Sequence, residues 1–407
     1  MPAQHNLMRN TNALSILHYI RSNGESTRRE IQSATGLSWA AVSTISAELI
    51  AQDILVEKAL EERVSGRNPN LLDFNSRRNL SIGAEINVEG LTVVLLDLRG
   101  EVVDAQEELL EEAEKHAVLN QLTRMIEELL RKNRLQRDQL LGIGISVQGS
   151  VDKEGAVSLY NHYIKDWSNV PMKALFEEYF GVPVRVMHDP VCIALTEQWE
   201  HKYLEKEDFV LIRLAYGIGM CYVHDGRPIH GHEGTAGELG HMVVNSNGEE
   251  CSCGNHGCLE AYCSIRGIAK RIYEATVPAA ERAEHPFVDN NVPYMKALLT
   301  KASEMAARGN QIMQQIFDDA GRYLGIGVAN LINLLNPKYI VLTGGVLDAS
   351  DLVVKQAEAY ARKNAWHISS CEFVVSRESR RQASMGAALN FINEAFENQE
   401  SILLRRA

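Results

Sequence analysis

Three thiols and an imidazole fall within eighteen residues of this chain: His241, Cys251, Cys253 and Cys258. That donor set suits one structural Zn²⁺ per chain in a closed four-coordinate shell. With every position taken by protein, no water is left to activate, so the metal's expected role is to brace a loop rather than to hydrolyse. His256 sits between Cys253 and Cys258 and competes with His241 as the nitrogen ligand. A disulfide framework is disfavoured, because the seven cysteines are odd in number and the other four, Cys192, Cys221, Cys263 and Cys371, are scattered. The same knot fixes two carboxylates: Glu238 lies three residues before His241, and Glu260 two residues after Cys258. Carboxylates held in this way are good acceptors for sugar hydroxyls.

The elements that position these groups belong to a chain of 407 residues, enough for two or three domains with real cores. The first twelve residues are polar and carry no apolar core of a signal peptide. No run approaches the 18 or so apolar residues of a membrane span, so a cytosolic chain without membrane insertion is expected. Reduced zinc thiolates suit that compartment. The net charge of −12 argues against a whole-surface nucleic-acid binder. Residues 1–80 nevertheless hold nine Lys and Arg against eight Asp and Glu, a balance of +1, which leaves −13 on the rest. An acidic body with a non-acidic head fits a small DNA-reading module on a larger domain.

Within that head, Leu14, Leu17 and Ile20 form a helical stripe over 12–23, stopped by Asn23-Gly24. Thr27-Arg28-Arg29-Glu30 reads as a capping box for a second helix, with Ile31 and Ala34 facing inward. Gly36 turns the chain and Ser38 caps a third helix. Its Val42, Ile45 and Leu49 face the core, leaving Ser38, Trp39, Ala40, Ser43 and Thr44 outward. This is a helix-turn-helix pattern whose third helix would enter the major groove. Short strands at 54–56 and 71–74 flank Ser65-Gly66-Arg67-Asn68-Pro69 and make it winged, with Arg67 placed to reach a narrow minor groove. Arg28, Ser38, Trp39, Ser43, Thr44 and Arg67 are the candidate DNA contacts. The competing reading is a three-helix protein-docking module whose arginines are ordinary solvated charges.

From residue 79 strands alternate with helices. Strand pairs are expected at 80–86 with 91–98 and at 209–214 with 219–224, helices at 119–130 and 312–335, and buried strands at 141–147 and 339–343. Two similar α/β halves around a ligand cleft follow.

Gly237-Glu238-Leu239-Gly240-His241 with the cysteine cluster, Cys258-Leu259-Glu260, His188-Asp189 and Leu342-Thr343-Gly344-Gly345 together resemble the ROK family (repressor, open reading frame, kinase), and the winged head resembles its regulator branch. The resemblance covers essentially the whole chain. It implies a winged helix-turn-helix followed by an actin-like, ribonuclease-H-like α/β body of two lobes that binds a hexose or related sugar between them. The implied layout is a head at 1–78, a first lobe at 79–190 completed by a C-terminal helix at 382–407, and a second lobe with the zinc motif at 191–381. Asp189 corresponds to the kinase base, and Glu238, His241 and Glu260 to sugar ligands. His188 stands where the kinases carry Asn. Asn161 and Trp167, after the Gly149-Ser150-Val151-Asp152 turn, fall where the family closes over sugars, and His188, Gly149 and Asn161 join the implied effector site. The kinases share an Asp-x-Gly-Gly-Thr phosphate turn; here the segment is Glu85-Ile86-Asn87-Val88-Glu89, with both glycines replaced and a negative charge at the phosphate position.

The expected function is therefore a sugar-responsive DNA-binding regulator, most simply a repressor of carbohydrate genes and not an enzyme. Its expected partners are double-stranded operator DNA, a carbohydrate effector and a second copy, as a homodimer or dimer of dimers. The alternatives are a sugar kinase with an appended head, or a regulator whose effector is a protein such as a transport-system component docking on the body.

Overall fold

The computed structural model describes residues 2–59, 70–161, 163–288, 291–366 and 370–397. The head comprises α1 (Pro2–Asn23), β1 (Ser26–Thr27), α2 (Arg28–Thr35), α3 (Trp39–Ala51), β2 (Leu55–Ala59) and β3 (Asn70–Phe74). The α2 cap is a full capping box: Thr27 accepts from the Glu30 amide, and the Glu30 carboxylate accepts from the Thr27 amide at 2.7 Å. Gly36 then takes the left-handed conformation that ends the helix, and the Ser38 hydroxyl accepts from the Ala41 amide to start α3. β2 and β3 form the wing's antiparallel stem. Its tip at 60–69, with Arg67, lies outside the described residues. Two local expectations change. Helix α1 begins ten residues earlier than its apolar stripe, Pro2 being tolerated at a helix start. Ala34 is exposed, because the eight-residue α2 buries only Ile31.

The first lobe is a five-stranded sheet in the order β11-β7-β4-β5-β6, built from β4 (Leu80–Asn87), β5 (Gly90–Leu96), β6 (Val102–Glu108), β7 (Leu140–Val147) and β11 (Val184–His188). Between them run α4 (Lys115–Asn133), the short strands β8 (Ser150–Val151), β9 (Ser158–Tyr160) and β10 (Ser168–Val170), and α5 (Met172–Phe180). Helix α6 (Asp189–Glu200) leads to the second lobe, whose sheet runs β14-β13-β12-β15-β16. Its strands are β12 (Phe209–Leu214), β13 (Ile218–His224), β14 (Arg227–Pro228), β15 (Tyr339–Thr343) and β16 (Glu372–Val375). Its helices are α7 (Glu260–Cys263), α8 (Ile265–Thr276), α9 (Val292–Ala307), α10 (Gln311–Leu335), α11 (Gly345–Ala349) and α12 (Asp351–Asn364). Helix α13 (Gln382–Glu397) returns to the first sheet.

Strand periodicity of two sorts each strand into two environments. On β4, Leu80, Ile82, Ala84 and Ile86 face the core under α4 and α5, while Ser81, Gly83 and Glu85 face α13 and the cleft. Gly83 and Gly144 have no Cβ for a reason: one would lie 1.8 Å and 2.0 Å from the Ser384 and Ala387 carbonyl oxygens, so α13 presses directly on the sheet. On β12, Val210, Ile212 and Leu214 enter the core with α8, α9, α10 and α12, and Phe209, Leu211 and Arg213 look toward α6.

The head shares a core with the body. Leu14, Leu17 and Ile20 of α1 and Phe74 of β3 pack in one apolar cluster with Val94 and Leu96 of β5 and Leu389, Ile392 and Phe396 of α13. A linker-tethered head would show separate clusters. Among the described residues no helix is long and apolar enough to cross a membrane.

Candidate functional site

The loop after β14 carries the knot. The ligating atoms of His241, Cys251, Cys253 and Cys258 all lie within 4.8 Å of one another. The Cys253 and Cys258 sulfurs are 3.8 Å apart, and His241 Nδ1 is 3.7 Å from Cys251 Sγ. A tetrahedron with Zn–S of about 2.3 Å has edges near 3.8 Å, so these spacings fit a zinc ion. His241 joins the thiols, and His256, exposed, is outside the group. The hydroxyl of Ser252 between the first two cysteines donates to Glu260 Oε1 at 2.8 Å, and the Ile218 amide donates to Oε2 at 3.1 Å. The knot and the β12–β13 hairpin therefore clamp Glu260 from both sides.

Between the lobes lies a cavity of about 110 Å³ that brings together Gly149, His188, Asp189, Glu238, His241 and Glu260. Its wall also includes Gln148, Tyr160, Tyr163, Arg213 and Ser252. Asn161 and Trp167 do not line it. The Asn161 amide donates to the Gln148 carbonyl at 3.1 Å and accepts from the Tyr163 amide at 2.9 Å, so it shapes the wall from behind. Trp167 is buried in the first-lobe core, where its indole N–H donates to Ser158. Tyr163 packs edge-on against Tyr216 of the facing lobe at 4.7 Å.

Arg213 was not foreseen. Buried at the end of β12, its guanidinium is ion-paired with both Asp189 and Glu378, while His188 Nε2 is 3.2 Å from the other Asp189 oxygen. A charge inside Phe209-Val-Leu-Ile-Arg-Leu214 was the available signal, since a buried arginine requires a partner. The pair makes Asp189 an acceptor already engaged by a cation.

Glu85 completes this group. Burial pushes its carboxyl up to about 7, aided by the charges of Glu378 and Asp189, while Arg213 pulls the other way. A carboxyl raised from 4.5 to about 7 binds its proton more tightly in the folded state. Its contribution to stability is therefore present below 4.5 and lost as pH rises through 7, a term of order 3 kcal/mol. Glu85→Gln is expected to raise stability near pH 8 while leaving it almost unchanged near pH 4, flattening the profile between. Urea unfolding at both pH values checks this, and parallel profiles for variant and wild type would refute it.

A second cavity of about 430 Å³ adjoins the first, sharing Gln148, Arg213 and Ala215 with it. Its floor is the β4–β5 turn, where the amides of Val88, Glu89 and Gly90 are already used. The Asn87 side-chain oxygen accepts from the amides of Glu89 at 2.8 Å and Gly90 at 3.0 Å, and Gln148 Oε1 accepts from Val88 at 3.1 Å. Glu89 is ion-paired with Lys296 of α9 across the cleft. Glu107, Glu108, Asp348 and Glu378 also line this space.

In the head, Trp39 is half exposed, Ser38 and Thr44 are exposed and Ser43 is partly so, all on the side of α3 opposite Val42, Ile45 and Leu49. Arg28 is ion-paired with Glu57 of the wing stem.

A sequence profile described as ROK family matches residues 81–394. The chain is 31% identical over 363 residues to a putative xylose repressor of Caldicellulosiruptor sp. (strain Rt8B.4), covering 89% of this chain and 90% of that one. It is 27% identical over 398 residues to the DNA-binding transcriptional dual regulator NagC of Escherichia coli K12, covering 96% and 94%. Among solved structures, a ROK family transcriptional regulator homologous to E. coli MLC superposes with a TM-score of 0.77 at 26% identity over 98% of this chain and 99% of that one. A glucokinase of Streptomyces griseus shares the body's fold, with a TM-score of 0.62 at 23% identity over 77% of this chain and 99% of that one.

Proposed function

The chain belongs to the ROK family, and from that membership we infer that it is a sugar-responsive transcriptional repressor whose winged head binds operator DNA and whose interlobe cavity binds the effector. The observation that carries the reading is the pairing of an intact sugar-type cavity with a closed phosphate turn. Asp189, Glu238, Glu260, His188 and His241 line one space sized for a single small ring. Next to it, Asn87 and Gln148 hold the amides that phosphate oxygens would need, and carboxylates crowd the rest. Asp189, salt-bridged to Arg213, serves as a hydrogen-bond acceptor rather than a base.

The residues of the knot fit a zinc ion, which would supply no chemistry to substrate and would fix the loop bearing Glu238, Ser252 and Glu260. Ser38, Trp39, Ser43 and Thr44 are the proposed major-groove surface and Arg67 the proposed minor-groove contact, with Arg28 orienting the wing through Glu57. The proposed layout is a head at 1–78, a first lobe at 79–190 completed by the C-terminal helix, described over Gln382–Glu397 with 398–407 outside the described residues, and a second lobe at 191–381. A homodimer placing two heads on paired half-sites fits such a reader.

D-xylose, D-glucose and N-acetylglucosamine are the first probes, chosen from the relatives' names and the glucose-bound neighbour. One of them is expected to raise the melting temperature and to release a DNA duplex selected by the protein from a random pool. With that sugar and ATP, ADP release should stay well under about 1 s⁻¹, the low end of ordinary enzyme rates. Turnover at or above that rate would make the chain a kinase with a head.

A further inference from the structure

Helix α6 runs from the sugar cavity to the DNA-reading head. Asp189 is the first residue of α6 and lines the cavity; Trp199 lies ten residues on, about 15 Å along the axis, and touches α1. The Arg21 guanidinium carbon is 4.1 Å from the Trp199 ring centroid and 4.9 Å from that of Phe396 near the end of α13. One cation of the head is thus held between two aromatic rings, one on each helix that passes between the lobes.

Those two helices pack backbone against backbone. A Cβ at Gly386 of α13 would lie 1.7 Å from the Cys192 carbonyl oxygen of α6, the Thr196 hydroxyl donates to the Gln382 carbonyl at 2.7 Å, and Gln382 also donates to Glu197. At the cavity end α6 is gripped by the second lobe: Pro190 packs on Gly219, and Asp189 is bound by Arg213. At the head end the indole meets the Arg21 guanidinium of α1 directly, while Arg99 donates to the Ile20 carbonyl and pairs with Asp73 of the wing stem. Direct contacts are therefore continuous from the second lobe at Asp189 to α1 and β3.

We propose that α6 is the transmission rod of this regulator, and that the contact of Arg21 with Trp199 couples effector binding to the DNA-reading head. The proposal rests on the sugar-responsive reading above and names its route. Trp199 and Arg21 touch neither the cavity nor the outward face of α3, so the coupling can be removed while both binding sites remain.

The test measures two affinities and their ratio. With D-xylose, D-glucose and N-acetylglucosamine as probes, the full-length protein is titrated by calorimetry, and its dissociation constant for the pool-selected duplex is measured with and without each sugar. Wild type should show a ratio of at least about 5 with one sugar, the low end of allosteric coupling. Trp199→Leu and, independently, Arg21→Gln should bring that ratio within twofold of unity while each separate affinity stays within about threefold. Trp199→Phe, which keeps a ring under the guanidinium, should retain most of the wild-type ratio. Hydrogen exchange in α1 should change on adding sugar to wild type and not to Trp199→Leu. If either coupling variant binds sugar and DNA and keeps the wild-type ratio, the rod is refuted while the sugar reading stands. A wild type that binds none of the three sugars, or binds one without a shift in DNA affinity, overturns that reading and the rod with it.

Discussion

Cys258→Ser is expected to lower bound zinc from about one ion per chain to under about 0.1 and to weaken effector binding by more than about 100-fold. Two of the cavity's carboxylates depend on the knot. Glu260 loses the fixed Ser252 hydroxyl that orients it, and Glu238 is tied through its carbonyl to the amide of His241, itself a proposed ligand. A hydrogen bond to a charged group is worth about 1.5–3 kcal/mol, and losing two exceeds the 2.7 kcal/mol that corresponds to about 100-fold. The fold should survive, since the second-lobe core of β12, β15, α8, α10 and α12 does not use the metal. Chelation of wild type should reproduce the variant. Metal analysis with calorimetric sugar titration decides the matter: a zinc-free protein with wild-type sugar affinity would remove the knot from any role in the cleft.

Glu238→Gln should raise the effector dissociation constant about 10- to 150-fold and leave DNA affinity without sugar within about twofold. The substitution preserves volume and removes only charge. Glu238 is partly exposed to the cavity, and the residues paired there, Arg213 with Asp189 and Glu378, do not involve it, so its loss orphans no buried cation. Asp189→Asn is the harsher change, because it strips Arg213 of one of two carboxylates, and breaking a buried pair costs about 3–5 kcal/mol. Glu238 therefore gives the cleaner measurement. Sugar affinity within twofold of wild type would place the cavity's centre elsewhere.

Short-range signals carried much of the architecture. Thr27 with Glu30, Ser38, the strand at 339–343 and the long helix ending at Leu335 follow from caps and periodicity and stand where the residues put them. That His241, Cys251, Cys253 and Cys258 would meet was legible because three thiols and an imidazole are concentrated at close spacing, and Glu238 and Glu260 flank them in sequence. Arg213 was harder, since its partners Asp189 and Glu378 lie 24 and 165 residues away and only the folded register aims it at them. The use of Asn87 as an internal acceptor was equally hidden: its identity showed that a glycine was missing, while the amides it occupies depend on the turn's geometry. Asn161 and Trp167 show the converse, positions close in sequence to the cleft whose side chains face away from it.

The core shared by head and body limits how this protein can be recombined. Leu14, Leu17 and Ile20 fill a surface made by Val94, Leu96, Leu389, Ile392 and Phe396, so a head transplanted from a relative would meet a wall shaped for other side chains. Each mismatch would leave a void or an overlap costing about 1–3 kcal/mol, and several would exceed the margin of an ordinary domain. The outward face of α3 takes no part in this core and can vary without disturbing it, whereas exchange of whole heads demands matching changes on β5 and α13. Single substitutions on that outward face are therefore expected to be tolerated where a whole-head exchange is not.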